Sequence, residues 1–339
     1  MDVPTADFRH VISLTGTYGT YEFATGVTPQ VEHGYRTDDV ARVLVAAMRE
    51  PILTRDVMRV AQTSMQFLVQ AQRPDGRIRG RRSHYGTWFG DFGAGDSWGH
   101  ALWAFGTAAA RLPYAGARME MVAAFSCGAR VEPALPRALA FAALGAGELL
   151  RFDPRHPGAR GLIEAAAHAL DRPDVGNGWA WPEDRLSNAN AVLPQALLVA
   201  GHYLGESRLI DDGLRQLAWL CGTETRDGHL SVTPATGRDR HDVGALFEQR
   251  PVEVAGLADA CVQAYGLTDD PMWLDPLAMS IDWFTGNNDV GVAMIDPETG
   301  GCFDGLTASG PSPNQGAEST LAAVMTLQHA PLMALVTAP

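Results

Sequence analysis

His33-Gly34-Tyr35-Arg36-Thr37-Asp38-Asp39-Val40-Ala41-Arg42 is the stretch from which the fold is read. It gathers an imidazole, a phenol ring, two guanidiniums and adjacent carboxylates, and a helical pattern starts inside it. Val40, Val43, Leu44, Ala47 and Met48 recur at i, i+3, i+4, i+7 and i+8, one face of an α-helix over 37–49. The polar cluster therefore stands at a helix N-terminus, where the dipole and free N–H groups favour carboxylates. Capping explains part of it: Thr37 as N-cap, Asp38 and Asp39 in the first turn, Asp38 paired with Arg42 at i, i+4. It leaves His33, Tyr35 and Arg36 unexplained. Two readings stay open, a cap alone or a site built on a capped helix.

Outward from this stretch the chain reads as helix after helix. Periodicity places them at 54–72, 95–112, 115–127, 134–151, 157–170, 189–204, 206–221, from Pro251 onward, 271–284 and 315–328, with 329–337 as a further short one. Val11–Leu14 reads as a strand, and residues 1–36 as an irregular segment packed on a single domain that fills 1–339. The 134–151 and 189–204 segments are apolar nearly all round, as buried helices are, whereas 54–72 carries a stripe. Long loops rich in Gly, Asp and Trp separate helix pairs. Turn sequences echo one another at 72–77, 171–174 and 225–229, but at no fixed period of the kind that marks TPR or ankyrin arrays. Buried and striped helices in alternation suit two concentric rings. The expected fold is all-α, an (α/α)6 toroid whose loops on one face line a central cavity. An open helical solenoid is the alternative, but its loops have no need of so much Trp, His, Arg and carboxylate.

Composition bounds the function. The chain has 339 residues, and 46% of them are hydrophobic, enough for a large core. A net charge of −13 argues against nucleic acid or an anionic membrane as the main partner. No apolar run is read as approaching the ~20 residues of a membrane span. The start, Met1-Asp2-Val3-Pro4, lacks the basic and apolar regions of a signal peptide, so the expected location is cytoplasmic. The four cysteines are scattered without ligand spacing, which predicts reduced thiols and no structural zinc; no metal and no cofactor are expected.

Loops and helix N-termini at one end of a toroid converge on its axis. The acids to place there are Asp38, Asp39, Asp96, Glu183, Asp184, Glu248, Glu253, Asp304 and Glu318. Plainer roles exist for several: Asp96 as a helix cap, Glu183 and Asp184 as a solvated loop, Glu253 as a first-turn acid behind Pro251. Glu318 shares a helix face with Asn314, and its small and apolar neighbours Gly316, Ala317, Leu321 and Ala322 point it inward. Aromatic faces stack on the C–H faces of sugars while hydroxyls take planar polar partners. Trp88, Trp98, Trp179, Trp181 and Trp283 lie in or beside loops, with Asn and Gln residues among them. The expected catalytic set is Asp38, Asp39, Glu253 and Glu318. The expected substrate contacts are His33, Tyr35, Arg36, Trp98, Trp179, Trp181, Asn190, Gln249, Asp304 and Asn314.

A resemblance adds to this. Gly34–Arg42, Glu248–Glu253, Trp283–Asn288, Cys302–Leu306 and Asn314–Thr320 look like a bacterial family of carbohydrate-active (α/α)6 domains, across about residues 14–328. Its most specific parts are Asp38-Asp39 and Gly316-Ala317-Glu318-Ser319-Thr320. The family is often fused to, or encoded beside, glycosyltransferases, so the resemblance implies such a partner. In shape the family is similar to N-acylglucosamine 2-epimerases and toroidal glycoside hydrolases. Val40 stands where the family motif has Asn, which puts in doubt whether substrate and activity carry over.

Three functions follow as expectations. The first is hydrolysis of a bacterial oligo- or polysaccharide by a carboxylate pair, one protonating the leaving oxygen and one acting as base or nucleophile. The second is a non-catalytic glycan-binding domain serving a glycosyltransferase. The third is a sugar epimerase or isomerase, which would favour a histidine pair such as His33 with His100 or His241.

Overall fold

The computed structural model of the chain describes residues 5–133, 135–170 and 179–337. It is an all-α (α/α)6 toroid. The inner ring is α2 (Thr37–Arg49), α4 (Asp96–Arg111), α6 (Pro136–Phe152), α8 (Val192–Leu204), α10 (Pro251–Thr268) and α12 (Ala317–Leu327). Each packs on the next, and α12 returns to α2 to close the ring. Outside them lie α3 (Arg55–Ala71) on α2, α5 (Ala115–Gly128) on α4, α7 (Pro157–Leu170) on α6, α9 (Ser207–Glu224) on α8 and α11 (Leu274–Thr285) on α10. The short α1 (Arg9–Leu14) covers α12, and α13 (Ala330–Thr337) follows α12 and touches α11.

The residue pattern explains the layering. An inner helix is covered on all sides, and α2 accordingly buries every residue from Thr37 to Met48. An outer helix needs one apolar stripe, which α3 supplies with Val57, Val60, Ala61, Met65 and Leu68. Between α4 and α6 the backbones touch: a Cβ at Gly106 would lie 2.0 Å from the Gly145 carbonyl oxygen, and one at Gly99 2.3 Å from that of Ala138. Glycine is required there by close approach.

Because every inner helix is joined to the next through an antiparallel outer one, all inner N-termini share one face. The connections on that face are long, including 72–95, 225–250 and 286–316, while those on the other, such as 50–54 and 205–206, are tight turns. The long loops carry small antiparallel pairings. One is a three-stranded sheet in which Ile78–Arg82 pairs on one side with Tyr35–Arg36 and on the other with Trp88–Gly93.

The structure corrects four sequence expectations. Val11–Leu14 belongs to a helix, with His10, Val11 and Leu14 buried. The polar stretch after Gly76 is a hairpin, not a loop. Thr37 does not cap α2: it is the first helical residue, and its hydroxyl donates to the Arg79 carbonyl at 2.6 Å. An apolar segment of membrane-spanning length does exist, Ala317–Val336, but it is broken between α12 and α13, and α12 is an inner-ring helix. Of the loop read at 171–184, residues 171–178 lie outside the described residues.

At the tight-turn face a buried ion pair spans the ring. Arg49 of α2 donates to both carboxylate oxygens of Asp259 on α10, at 2.8 and 2.9 Å, and His329 meets Asp259 at 2.7 Å. Burial works against the Asp259 charge, but Arg49 and His329 outweigh it and hold the carboxyl well below its ordinary value. A folded-state pKa depressed in this way adds stability that is complete above the unfolded value and lost as pH falls through the folded one. Asp259→Asn is therefore expected to cost about 3–5 kcal/mol at pH 7, since it leaves a buried guanidinium without its countercharge. Urea unfolding of both proteins across pH checks this: the gap is widest at neutral pH and narrows below the carboxylate range.

Candidate active site

The long-loop face carries a chain of linked guanidinium and carboxyl side chains. It begins on the hairpin, where Arg81 pairs with Glu22 at 2.9 Å. Glu22 also meets Arg36 at 3.4 Å, and Arg36 grips Asp38 through Nη2 at 2.7 Å and Nε at 3.1 Å. The next residue, Asp39, takes a 2.9 Å bond from Arg42. The same Arg42 nitrogen lies 3.2 Å from Glu318, whose other oxygen is bound by Arg250. The first turn of α2 thus joins to the first turn of α12 by ring closure. Arg42 serves Asp39 at i+3 and Glu318 across the ring, while Asp38 is held by Arg36; the expected Asp38–Arg42 pair is not what forms.

Burial divides the acids. Asp38 and Asp39 are almost inaccessible, whereas the Glu318 side chain is 31% exposed. For Asp39, burial comes first and the neighbouring Asp38 second, and together they override Arg42 and push its carboxyl up to about 8. For Asp38, burial pushes upward too, but Arg42 and Arg36 outweigh it and keep the carboxyl below its ordinary value. Two adjacent carboxyls are driven apart, one kept protonated near neutrality and one ionised.

His100, one turn into α4, completes the cluster. Burial, then the charge of Arg42, pushes its imidazole down to about 3, so the ring is neutral. Nδ1 lies 2.9 Å from the Asp96 carbonyl, which only accepts, so Nδ1 carries the proton. Nε2 is then a bare lone pair, buried and without a hydrogen-bond partner among the described residues. The ring packs on Phe141 at 3.8 Å between centroids.

Other expected site residues are placed differently. Glu253 accepts from the backbone N–H groups of Ala189 and Asn190 at 2.7 and 3.2 Å and from the Asn190 amide, which ties down the turn entering α8. Burial, with Glu224 second, pushes Glu253 up to about 7. Tyr35 is fully buried and stacks on Tyr21, and Trp98 is fully buried with its N–H on the Gly128 carbonyl. Neither offers a face to a ligand, and both are corrected here to core residues. Gln249 is buried on Asp289 and Leu246. Trp179 donates to the Glu183 carbonyl, and Trp181 stacks on Trp219 at 5.8 Å. Asp304 caps α12 through Gly316 N–H and the Ser319 hydroxyl, and Asn314 accepts from Gly26 N–H. His33 is exposed beside Phe23. Glu183 is bidentate with Arg137, and Asp96 and Asp184 are exposed. Glu248 is exposed and lines a 470 Å³ cavity with Arg250, Asp304, Thr307 and Ser312. Arg250 thus borders both Glu318 and this cavity.

Glu22, Arg81 and Arg250 join the cluster although none of them is among the site residues expected from the sequence. Glu22 lies in an aperiodic loop and carries no local signal. Arg250 had one, an Arg directly before the Pro251 that opens α10.

No family model and no curated protein matches the sequence. Solved structures do match in shape. A sugar epimerase from a ruminal bacterium aligns with TM-score 0.75 at 11% identity over 97% of each chain. A cellobiose 2-epimerase from Bacillus thermoamylovorans aligns with TM-score 0.72 at 12% identity over 96% of each chain. A cellulase of C. cellulolyticium, in complex with cellobiose, aligns with TM-score 0.64 at 9% identity over 94% of this chain and 88% of its own. These place the chain in a class by architecture, the (α/α)6 toroids, a fold that sugar epimerases and cellulases share. Likeness at this identity speaks for fold alone, and the chemistry rests on the site.

Proposed function

We propose that this chain is an enzyme acting on saccharides by acid–base catalysis at the long-loop face, and that the reaction is hydrolysis of a glycosidic bond. One observation carries the reading: a single Arg42 nitrogen holds both Asp39, kept protonated by its surroundings, and the accessible Glu318. Asp39 is the acid for the leaving glycosidic oxygen, a role that requires the first turn of α2 to open to substrate because Asp39 is buried in the free chain, and the Glu318 carboxylate takes the anomeric centre or the attacking water. The two oxygens are no further apart than the 2.9 and 3.2 Å legs laid end to end. The 470 Å³ cavity beside Arg250 fits the ~300–1,000 Å³ range of small-molecule sites, and its hydroxyl-bearing lining suits sugar hydroxyls.

A second reading, epimerisation or isomerisation of a free sugar, has its own support. The epimerases match over nearly the full length of both chains, and hydrolysis leaves the unpartnered His100 Nε2 without a role. The expected histidine pairs gain no support, since His33 and His241 are exposed and His100 is buried. One incubation separates the two. Oligosaccharides and free hexoses are given to the enzyme in heavy water, and products are read by NMR and mass spectrometry. New reducing ends mean hydrolysis. Unchanged chain length with deuterium on the carbon beside the carbonyl means epimerisation or isomerisation. Binding without either change leaves the glycan-binding domain.

The sheet adds an expectation about substrate length. Arg36, Arg81 and Phe89 are direct cross-strand partners, so they stand in a row on one face, ~4.8 Å apart per strand. The first two belong to the chain of linked side chains, and Phe89 is exposed at the outer edge. Phe89→Ala is expected to reduce kcat/KM by about 10-fold for long oligosaccharides, the loss of one stacking contact, with the deficit shrinking as the chain shortens. A deficit independent of length would remove Phe89 from the substrate path.

A further inference from the structure

We propose that Cys221 and Cys261 are a modification site, a dithiol that closes into a disulfide between the outer helix α9 and the inner helix α10. Their sulfurs lie 3.9 Å apart, each the other's thiol partner, though 40 residues separate them in sequence. Reaching the ~2.05 Å of a disulfide takes less than 2 Å of approach. The other two cysteines have no such neighbour: Cys127 lies against the Arg73 and Pro74 carbonyls, and Cys302 is buried beside the Phe303 carbonyl.

A buried thiol by itself is ordinary core packing. Here access is unequal in a useful way. Cys261 is fully buried, while Cys221 is partly exposed and is followed by the exposed Gly222. A small oxidant therefore meets Cys221 first, and Cys261 waits behind it as the resolving sulfur. With hydrogen peroxide the Cys221 thiolate attacks one oxygen, the O–O bond breaks, and hydroxide leaves as water after taking a proton. Cys221 becomes a sulfenic acid. The Cys261 sulfur then attacks the Cys221 sulfur, the S–O bond breaks, and the hydroxyl leaves with the Cys261 proton as a second water. Two thiols lose two electrons, and one peroxide becomes two waters.

The bond would tie α9 to the helix whose start borders the site. α10 starts directly after Arg250, the partner of Glu318, and carries Glu253 in its first turn. α9 ends at Glu224, which binds the Thr233 N–H and hydroxyl and acts on the charge of Glu253.

The test uses the full chain, fully reduced and then treated with equimolar hydrogen peroxide. Peptide mapping without reductant is expected to find Cys221 joined to Cys261, with two of the four thiols lost. The melting midpoint should rise by about 5 °C through closure of the loop, and dithiothreitol should reverse both changes. In Cys261→Ser, Cys221 should accumulate as a sulfenic acid trapped by dimedone, with no rise in melting. Retention of all four thiols, a bond between other cysteines, or Cys221 advancing to the sulfinic acid without a cross-link overturns the proposal. None of these readouts depends on which saccharide the protein takes.

Discussion

Asp39→Asn and Glu318→Gln are each expected to lower kcat by roughly 10²–10⁴ on the saccharide the wild type cleaves, with circular dichroism and melting close to those of the parent. Both substitutions preserve shape and remove the capacity to exchange a proton. Because the two groups share one arginine nitrogen and act in one step, the double variant is expected to be no slower than the worse single variant. The pH profile carries a separate signature. Asp39 holds its proton up to about 8, chiefly through burial and secondly through Asp38, so turnover should fall as pH rises through that value. Stability moves with it. Between the ordinary carboxylate value and about 8 the folded chain keeps a proton the unfolded chain has released, so stability declines as pH rises across that window. Asp39→Asn should remove that decline. Undiminished turnover in either single variant takes that residue out of the chemistry.

Gly106→Ala is expected to be the most damaging single methyl group in the ring. Its Cβ would fall 2.0 Å from the Gly145 oxygen, 2.6 Å from that residue's carbonyl carbon and 2.8 Å from its Cα. All three are backbone atoms of a packed inner helix and have no rotamer by which to move aside. The cost is about 3 kcal/mol or more, at or beyond the upper end for overpacking, despite the ~1 kcal/mol by which Ala is the better helix former. Gly161→Ala is the matched control. It also lies in a helix, α7, yet an added Cβ there meets nothing within 4 Å, so it should be neutral or stabilising by up to ~1 kcal/mol. Denaturant unfolding of the pair separates the packing effect from helix propensity, and equal effects at both positions would contradict the close α4–α6 crossing.

Much of the helical frame was legible because it rests on local signals. The apolar periodicity after Thr37 marks α2, and Pro136, Pro157 and Pro251 stand at the starts of α6, α7 and α10. Where the local signal misled, a tertiary surface had decided. Val11-Ile12-Ser13-Leu14 has strand-like composition but folds as α1 because Val11 and Leu14 are buried against the rest of the core. Trp98 is expected as a sugar platform from its nearness to a loop and Tyr35 as a substrate contact from the polar stretch that holds it, yet both are wholly enclosed, since a large aromatic ring stabilises most where it is fully removed from water. Glu22, in an aperiodic loop, is invisible to pattern reading and becomes an anchor for Arg36 and Arg81 only when three distant segments meet.

The sequence by itself determined that this chain forms alternating buried and striped helices, and that adjacent carboxylates stand at the first turn of α2, because helix period and end chemistry act within a few residues. Only the tertiary structure decided which acids meet. Closing the ring sets Glu318 against Arg42, leaves Glu253 holding the entry to α8, and buries Asp38 and Asp39 in unequal company. The energy of a carboxylate depends on the charges and solvent around it, and here those are supplied by residues far away in the chain.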